Sequence, residues 1–298
     1  MGKCKIGLAL GSGGARGWCH IGVLRELDRQ GFAPDVVAGC SMGALVGAAW
    51  AAGRLDALED WARSLTRMQF LRYVDPRLDR GGLVQGGALA RIFEALDLPE
   101  TIEDLDKPFL VVATDMVTGR EIWLTEGPLL PAVRASISIP GVFSPVQVDG
   151  RWLMDGGLVN PVPASACRAL GAIGTIAVNP NAKHGHRLWT QDHRPDMFER
   201  LGAEAMRAHL PGFLADWIRT EPDATQPPNY FDVVSTALDI LIEYVRKARE
   251  ATDPPHVALD PNLMEIDVLE LYTASPCIDE GVRVARAAAE DIAALRDL

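Results

Sequence analysis

Gly39-Cys40-Ser41-Met42-Gly43 is a segment whose residue types suit nucleophilic chemistry. A serine that attacks a carbonyl must stand clear of its backbone, on a tight turn between a strand and a helix. Side chains two residues either side would collide in such a turn, so Gly39 and Gly43 answer a steric need. The serine also heads the following helix, where the dipole favours developing negative charge. The five-residue pattern is weak by itself; a strand-like run before it and a helix-like run after it give it context.

A second segment, Gly11-Ser12-Gly13-Gly14-Ala15-Arg16-Gly17, again separates a strand signal from a helix signal. It lacks the Gly-Lys-Ser/Thr of a phosphate-binding P-loop, and Arg16 occupies the last glycine position of a dinucleotide fingerprint. A plain tight turn and an oxyanion hole both remain. In the second reading glycines let backbone N–H groups approach a reacting carbonyl. Arg16 either locks this loop or meets an anionic head group, the first being the commoner use of a charge beside a glycine turn. The third segment, Asp155-Gly156-Gly157, puts a carboxylate at a strand end with little bulk beside it; alone it reads as an ordinary turn. Asp149-Gly150 reads as such a turn.

The elements that must position these residues alternate along the first half. Residues 5–10 read as a strand, 17–30 as a helix with Ile21, Leu24 and Leu27 on one stripe and Gly31 as its stop, 35–39 as a strand, and 43–52 as a small-residue helix. Residues 54–106 read as mostly helical, with a glycine break at Gly81-Gly82 and Gly86-Gly87. Residues 108–114 and 173–178 are continuous apolar runs, as expected of strands buried on both faces. Residues 121–125, 146–148 and 152–154 read as further strands and 128–137 as a short helix. This alternation predicts an α/β fold with a mainly parallel central β-sheet and helices on both faces.

The second half is less regular. Residues 183–230 hold His184, His186 and His193 and a proline-rich end, and read as a surface excursion or lid. Phe231, Val234, Leu238, Leu241, Ile242 and Val245 predict an amphipathic helix packed on the core. Residues 256–259 and a helix from Ile278 close the chain.

Composition bounds the function. The 298 residues are 48% hydrophobic and 23% charged, the balance of a globular protein with a substantial core. A net charge of −11 argues against nucleic acid as a partner and against purely electrostatic attachment to anionic lipid. Residues 54–91 are locally rich in arginine, which reads as a solvated face. Five widely spaced cysteines, with no Cys-x-x-Cys, predict neither disulfides nor a zinc site and suit a reducing cytoplasm. The N-terminal apolar run is too short for a signal peptide. Residues 36–53 lack charge and could span a bilayer by length, but their glycines divide them into strand, turn and buried helix.

Together the Gly-rich loop with Arg16-Gly17, the Gly-x-Ser-x-Gly elbow and Asp155-Gly156-Gly157, in that order, resemble the patatin-like phospholipases. Residues 135–143, Ala-Ser-Ile-Ser-Ile-Pro-Gly-Val-Phe, resemble the family's helix leading to the Asp motif. Trp18-Cys19-His20-Ile21-Gly22-Val23 and Val112-Ala113-Thr114-Asp115 are similar to small bacterial members related to the neuropathy target esterase domain. The resemblance covers residues 5–180 and the closing strand and helix, with Ser12 standing where many members have glycine; 183–230 match no motif. It implies a single patatin-like domain over residues 1–298.

It further implies that Ser41 is the nucleophile and Asp155 its base, that Gly13 and Gly14 line an oxyanion hole, and that Gly11, Arg16, Gly17, Gly39, Gly43, Gly156 and Gly157 support them. No cofactor or metal is implied. The substrates would be phospholipids, lysophospholipids or other acyl esters, reached by transient contact at the inner membrane surface. An aspartate of ordinary pKa is a poor base for serine, so Asp155 is expected to be desolvated, with Trp152, Leu153 and Met154 as apolar neighbours. A histidine triad is the rival mechanism, although His20 reads as a packed helix residue and the other histidines as part of a solvated loop. Transfer of the acyl group to another acceptor, thioester cleavage, and a lipid-binding regulatory role stay open. Trp18, Trp50, Trp61, Phe70, Phe213 and Trp217 are candidates for a lipid-access rim, with core burial the plainer reading of each.

Overall fold

The computed structural model describes residues 5–73, 76–79, 82–84, 87–182 and 230–298. Histidines 184, 186 and 193, Phe213, Trp217 and the rest of the excursion expected over 183–230 lie outside the described residues, except Tyr230, which begins a helix.

The centre is a sheet in which β11 (Val257–Leu259), β10 (Gly174–Val178), β1 (Ile6–Leu10), β2 (Val36–Cys40) and β5 (Phe109–Asp115) run parallel, in that order. Beyond β5 the sheet turns antiparallel. β9 (Arg151–Asp155) pairs with the end of β5, and β8 (Val146–Val148) pairs with β9. β6 (Glu121–Leu124) pairs antiparallel with β5 from its other edge.

Strand alternation divides each apolar run between two cores. Leu8, Leu10, Val37, Val111, Ile176 and Val178 face the side covered by α1 (Cys19–Arg29) and α2 (Met42–Ala51). Ala9, Ala38, Leu110, Val112 and Ala177 face the other side, where α7 (Ala164–Ala169) supplies Ala164, Ala166 and Cys167. Helices therefore lie on both faces, as the alternation predicts. α9 (Ala274–Ala287), which begins four residues ahead of Ile278, packs along α1. Between them Arg286 and Arg29 both reach the buried carboxylate of Glu26.

Two expectations are corrected. Residues 54–106 hold α3 (Leu55–Ser64), α4 (Arg67–Tyr73) and α5 (Gly87–Ala95), but two short strands stand before and within the glycine break. These are β3 (Pro76–Asp79) and β4 (Gly82–Val84), which join β7 (Gly141–Phe143) in a small separate sheet. β4 pairs along β7 and β3 pairs back on β4, so backbone partners rather than an apolar face of their own make these segments strands. The second correction concerns α8 (Tyr230–Thr252). Its apolar positions make a stripe wider than the contact the helix makes. Leu238, Ile242 and Val245 are half-buried, whereas Val234 and Leu241 are exposed. Among the described residues no helix is long and apolar enough to cross a membrane.

Candidate active site

The chain reverses sharply after β2. Ser41 takes φ 54° and ψ −121°, a conformation costly for any residue with a side chain, and α2 starts at the next residue. The turn is as crowded as its sequence pattern requires. A Cβ on Gly39 would lie 2.5 Å from the Gly43 carbonyl oxygen, and one on Gly43 would lie 2.1 Å from the Leu10 carbonyl oxygen. Both glycines let α2 press against β1 and β2 while the hydroxyl of Ser41 is turned away from them.

The Ser41 hydroxyl donates to Asp155 Oδ2 at 2.7 Å. The other carboxylate oxygen, Oδ1, accepts from the Gly157 N–H at 2.7 Å. Asp155 is the last residue of β9, and Gly156, Gly157 and Leu158 after it form a tight 3₁₀ turn against β5. Gly156 lies against the Val112 carbonyl, where an added Cβ would come within 2.3 Å. Ser41 and Asp155 are both buried. Burial pushes the Asp155 carboxyl up to about 6, although the hydrogen bonds from Ser41 and Gly157 pull the other way.

Trp152 and Met154 do not share the face of Asp155. On β9, Arg151, Leu153 and Asp155 share one face and Trp152 and Met154 the other, and Trp152 is half exposed. Leu153, fully buried, is the apolar neighbour that lies on the Asp155 side. The rim candidates Trp18, Trp50 and Phe70 are core residues and Trp61 is half-buried.

The Gly-rich loop lies beside this pair. Gly11 N–H donates to Val178 and Ser12 N–H to Pro161. Gly14 has φ +53°, and an added Cβ would fall 2.0 Å from the Val268 carbonyl oxygen, which also accepts from the Ala15 N–H at 2.7 Å. The N–H groups of Gly13 and Gly14 donate to no partner among the described residues. Gly17 packs on Met42, the first residue of α2, so the loop and the elbow touch. Arg16 donates to the Ile266 carbonyl at 2.7 Å and to Asn181 Oδ1 at 3.1 Å, which ties the loop to two other segments. His20 is fully buried, with Nε2 2.8 Å from the Gly11 carbonyl oxygen. That contact makes Nε2 the protonated nitrogen. Nδ1 has no partner among the described residues, and burial lowers the imidazole to about 4.

Three residues outside the sequence candidates hold this arrangement. Ser136, the last residue of α6 (Leu129–Ser136), accepts from the Ser41 N–H at 2.8 Å and donates to the Val112 carbonyl at 2.6 Å. The Ser138 carbonyl accepts from the Asp155 N–H at 3.0 Å. Thr114 donates to the Asp155 carbonyl at 2.7 Å. Their sequence signal is slight: two serines at a helix end before Pro140, and a lone threonine in an apolar strand.

A buried carboxylate hydrogen-bonded to a serine hydroxyl on a sharp turn, beside glycines whose N–H groups have no partner among the described residues, is an arrangement suited to acyl transfer through the serine. Comparison with known proteins shows what the chain is similar to. An uncharacterized NTE family protein of Mycobacterium tuberculosis is 45% identical over 177 residues, which cover 59% of this chain and 49% of that protein. Neuropathy target esterase sws of Drosophila melanogaster is 35% identical over 182 residues, covering 59% of this chain and 13% of its own length. The chain thus spans half or less of these relatives. Among solved structures, VipD from Legionella pneumophila aligns with a TM-score of 0.47 and 13% identity, over 97% of this chain and 67% of VipD. The family model for patatin-like phospholipase matches residues 8–168, more than half of the chain, and with all three motifs inside that span the chain belongs to the patatin-like phospholipase family.

Proposed function

We propose that this protein is a serine acyl hydrolase acting on lipid esters through Ser41 and Asp155. The observation that carries the reading is the 2.7 Å hydrogen bond from Ser41 to a buried Asp155 whose carboxyl is raised to about 6. A base of that pKa is ionised at neutral pH yet takes a proton more readily than an ordinary aspartate.

In the reaction, Ser41 Oγ attacks the ester carbonyl carbon as its proton passes to Asp155 Oδ2. The carbonyl oxygen becomes an oxyanion, for which the N–H groups of Gly13 and Gly14 and the N-terminus of α2 are the available donors. Collapse expels the alcohol, which takes the proton from Asp155 and leaves an acyl-Ser41 ester. Water then repeats the sequence, with Asp155 accepting its proton, and frees the fatty acid. Each proton Asp155 accepts it returns in the same half-reaction, so no histidine is needed. Phospholipids, lysophospholipids and related acyl esters are the proposed substrates, met by transient contact with a membrane surface from the cytoplasmic side.

The test is labelling of the protein with a fluorophosphonate probe, wild type beside Ser41→Ala and Asp155→Asn, followed by turnover of p-nitrophenyl esters of increasing chain length. Labelling confined to Ser41 and much slowed without Asp155 is the expected result. A folded wild type that does not label and hydrolyses none of the esters would sink the proposal.

A further inference from the structure

The hydroxyl of Ser136 stands where a rung of the sheet should be. In the parallel pairing of β2 with β5, the Val37 N–H donates to the Pro108 carbonyl at 3.1 Å. Rungs of a parallel ladder recur every two residues, so the next N–H groups of β2 to face β5 are those of Gly39 and Ser41. The carbonyls that meet them are Leu110 and Val112. The last of these rungs is not made directly. Ser136 Oγ sits inside it, accepting from Ser41 N–H at 2.8 Å and donating to Val112 at 2.6 Å. The inserted hydroxyl satisfies both groups while holding Ser41 further from β5 than a direct bond would.

The extra separation falls at the place where the sheet changes partner. β2 pairs with β5 up to Cys40 and Val112, and β9 takes over the same edge at Ala113, opposite Asp155. β6 occupies the other edge of β5, so β2 and β9 must share this one. A direct Ser41–Val112 rung would draw the elbow onto β5 at the point where the Asp155 turn has to pass. Ser138, two residues after Ser136, accepts from the Asp155 N–H, so the end of α6 grips the backbone of both residues.

We propose that Ser136 is a positioning residue for the nucleophile: its hydroxyl fixes the direction of the Ser41 N–H and the spacing from β5 that brings Ser41 Oγ onto Asp155. The inference rests on the hydrolase reading above. Ser136 touches no reacting atom. Its contribution is to hold the strained turn of Ser41 in one geometry, and misplacement of a reacting group by about 1 Å can lower a rate by about 10²-fold.

The test is turnover of a p-nitrophenyl ester by Ser136→Ala, Ser136→Cys and Ser136→Thr, with thermal melting to establish folding and Ser41→Ala as control. Ser136→Ala is expected to lower kcat by about tenfold or more with KM changed by less than about twofold, because positioning acts on the transition state. Ser136→Thr, which restores the hydroxyl, should recover most of that loss. Where Ser136→Ala does not fold, Ser136→Cys carries the test, since it keeps the volume and hydrogen-bonds weakly. A folded Ala or Cys variant with wild-type kcat, or one whose loss lies in KM alone, overturns the inference. If Ser41→Ala itself retained turnover, the hydrolase reading would fail instead.

Discussion

Ser41 and Asp155, 114 residues apart, meet because the strands that carry them are registered on consecutive residues of a third: Cys40 lies opposite Val112, and Asp155 opposite Ala113. The register of the sheet therefore brings the backbones of the two residues side by side. Within that register the Ser41 hydroxyl and the Asp155 carboxylate hydrogen-bond at 2.7 Å.

On the proposed mechanism, Asp155 is the group that sets the pH dependence of turnover. The base must be ionised to accept the Ser41 proton, and its carboxyl is held at about 6. On ester substrates kcat/KM is expected to rise with pH through about 6 and to level off above about 7. Ser41→Ala should lower kcat by at least about 10³-fold, and Asp155→Asn by a large factor with the rise near pH 6 gone. A wild-type profile that is flat from pH 5 to 8 would remove Asp155 from the role of base.

The same raised carboxyl makes Asp155 a cost to stability. Its folded value, about 6, lies above the ordinary 3.8 of the unfolded chain, so between these values the folded state binds more protons. Stability contributed by this group is present at low pH and is lost as pH rises from about 4 to 6. At pH 8 the shift corresponds to roughly 3 kcal/mol as an order of magnitude. Asp155→Asn is uncharged and can still accept from Ser41 or Gly157, so it should melt above wild type at pH 8, with the difference shrinking towards pH 4. Paired thermal melts at the two pH values measure it.

The Gly-rich loop makes a steric prediction. An alanine at position 14 would have to hold φ +53° with its Cβ 2.0 Å from the Val268 carbonyl oxygen that fixes Ala15. Gly14→Ala must therefore move the loop or break that hydrogen bond, with a stability loss of about 1–3 kcal/mol. Because Gly17 of the same loop rests on Met42, the shift should also reach the elbow. The expected outcome is a folded protein with a lowered melting temperature and much slower fluorophosphonate labelling.

What the sequence made legible divides along a physical line. Gly39 and Gly43, the loop glycines and Asp155-Gly156-Gly157 are short-range features, because the crowding that demands glycine lies within a few residues of each. Continuous apolar runs likewise marked β1, β2, β5 and β10. Ser136 could not be read in the same way, since its partners Ser41 and Val112 are 95 and 24 residues distant and a buried serine carries no periodicity. The orientation of Trp152 and the open side of α8 were hidden for a related reason. Alternation and helical spacing tell which side chains share a face, but only the packed structure tells what covers it.

His20 provides a pH prediction with the opposite sign to that of Asp155. Its imidazole is lowered by burial to about 4, below the ordinary 6.5, so between these values the unfolded chain binds the extra proton. Stability is therefore lost as pH falls from about 6.5 to about 4, and the change is roughly 3 kcal/mol as an order of magnitude. From about 6 to 4 the rise from Asp155 and the fall from His20 oppose each other, and stability of the wild type should change little in that window on their account. Removing one should reveal the other. His20→Gln keeps a donor for the Gly11 carbonyl without a titrating ring, and its melting temperature is expected to climb as pH falls from 6 to 4 relative to wild type. Asp155→Asn should fall over the same window. If His20→Gln and wild type melt in parallel between pH 6.5 and 4, the imidazole is not held neutral by the fold and the assigned balance is wrong.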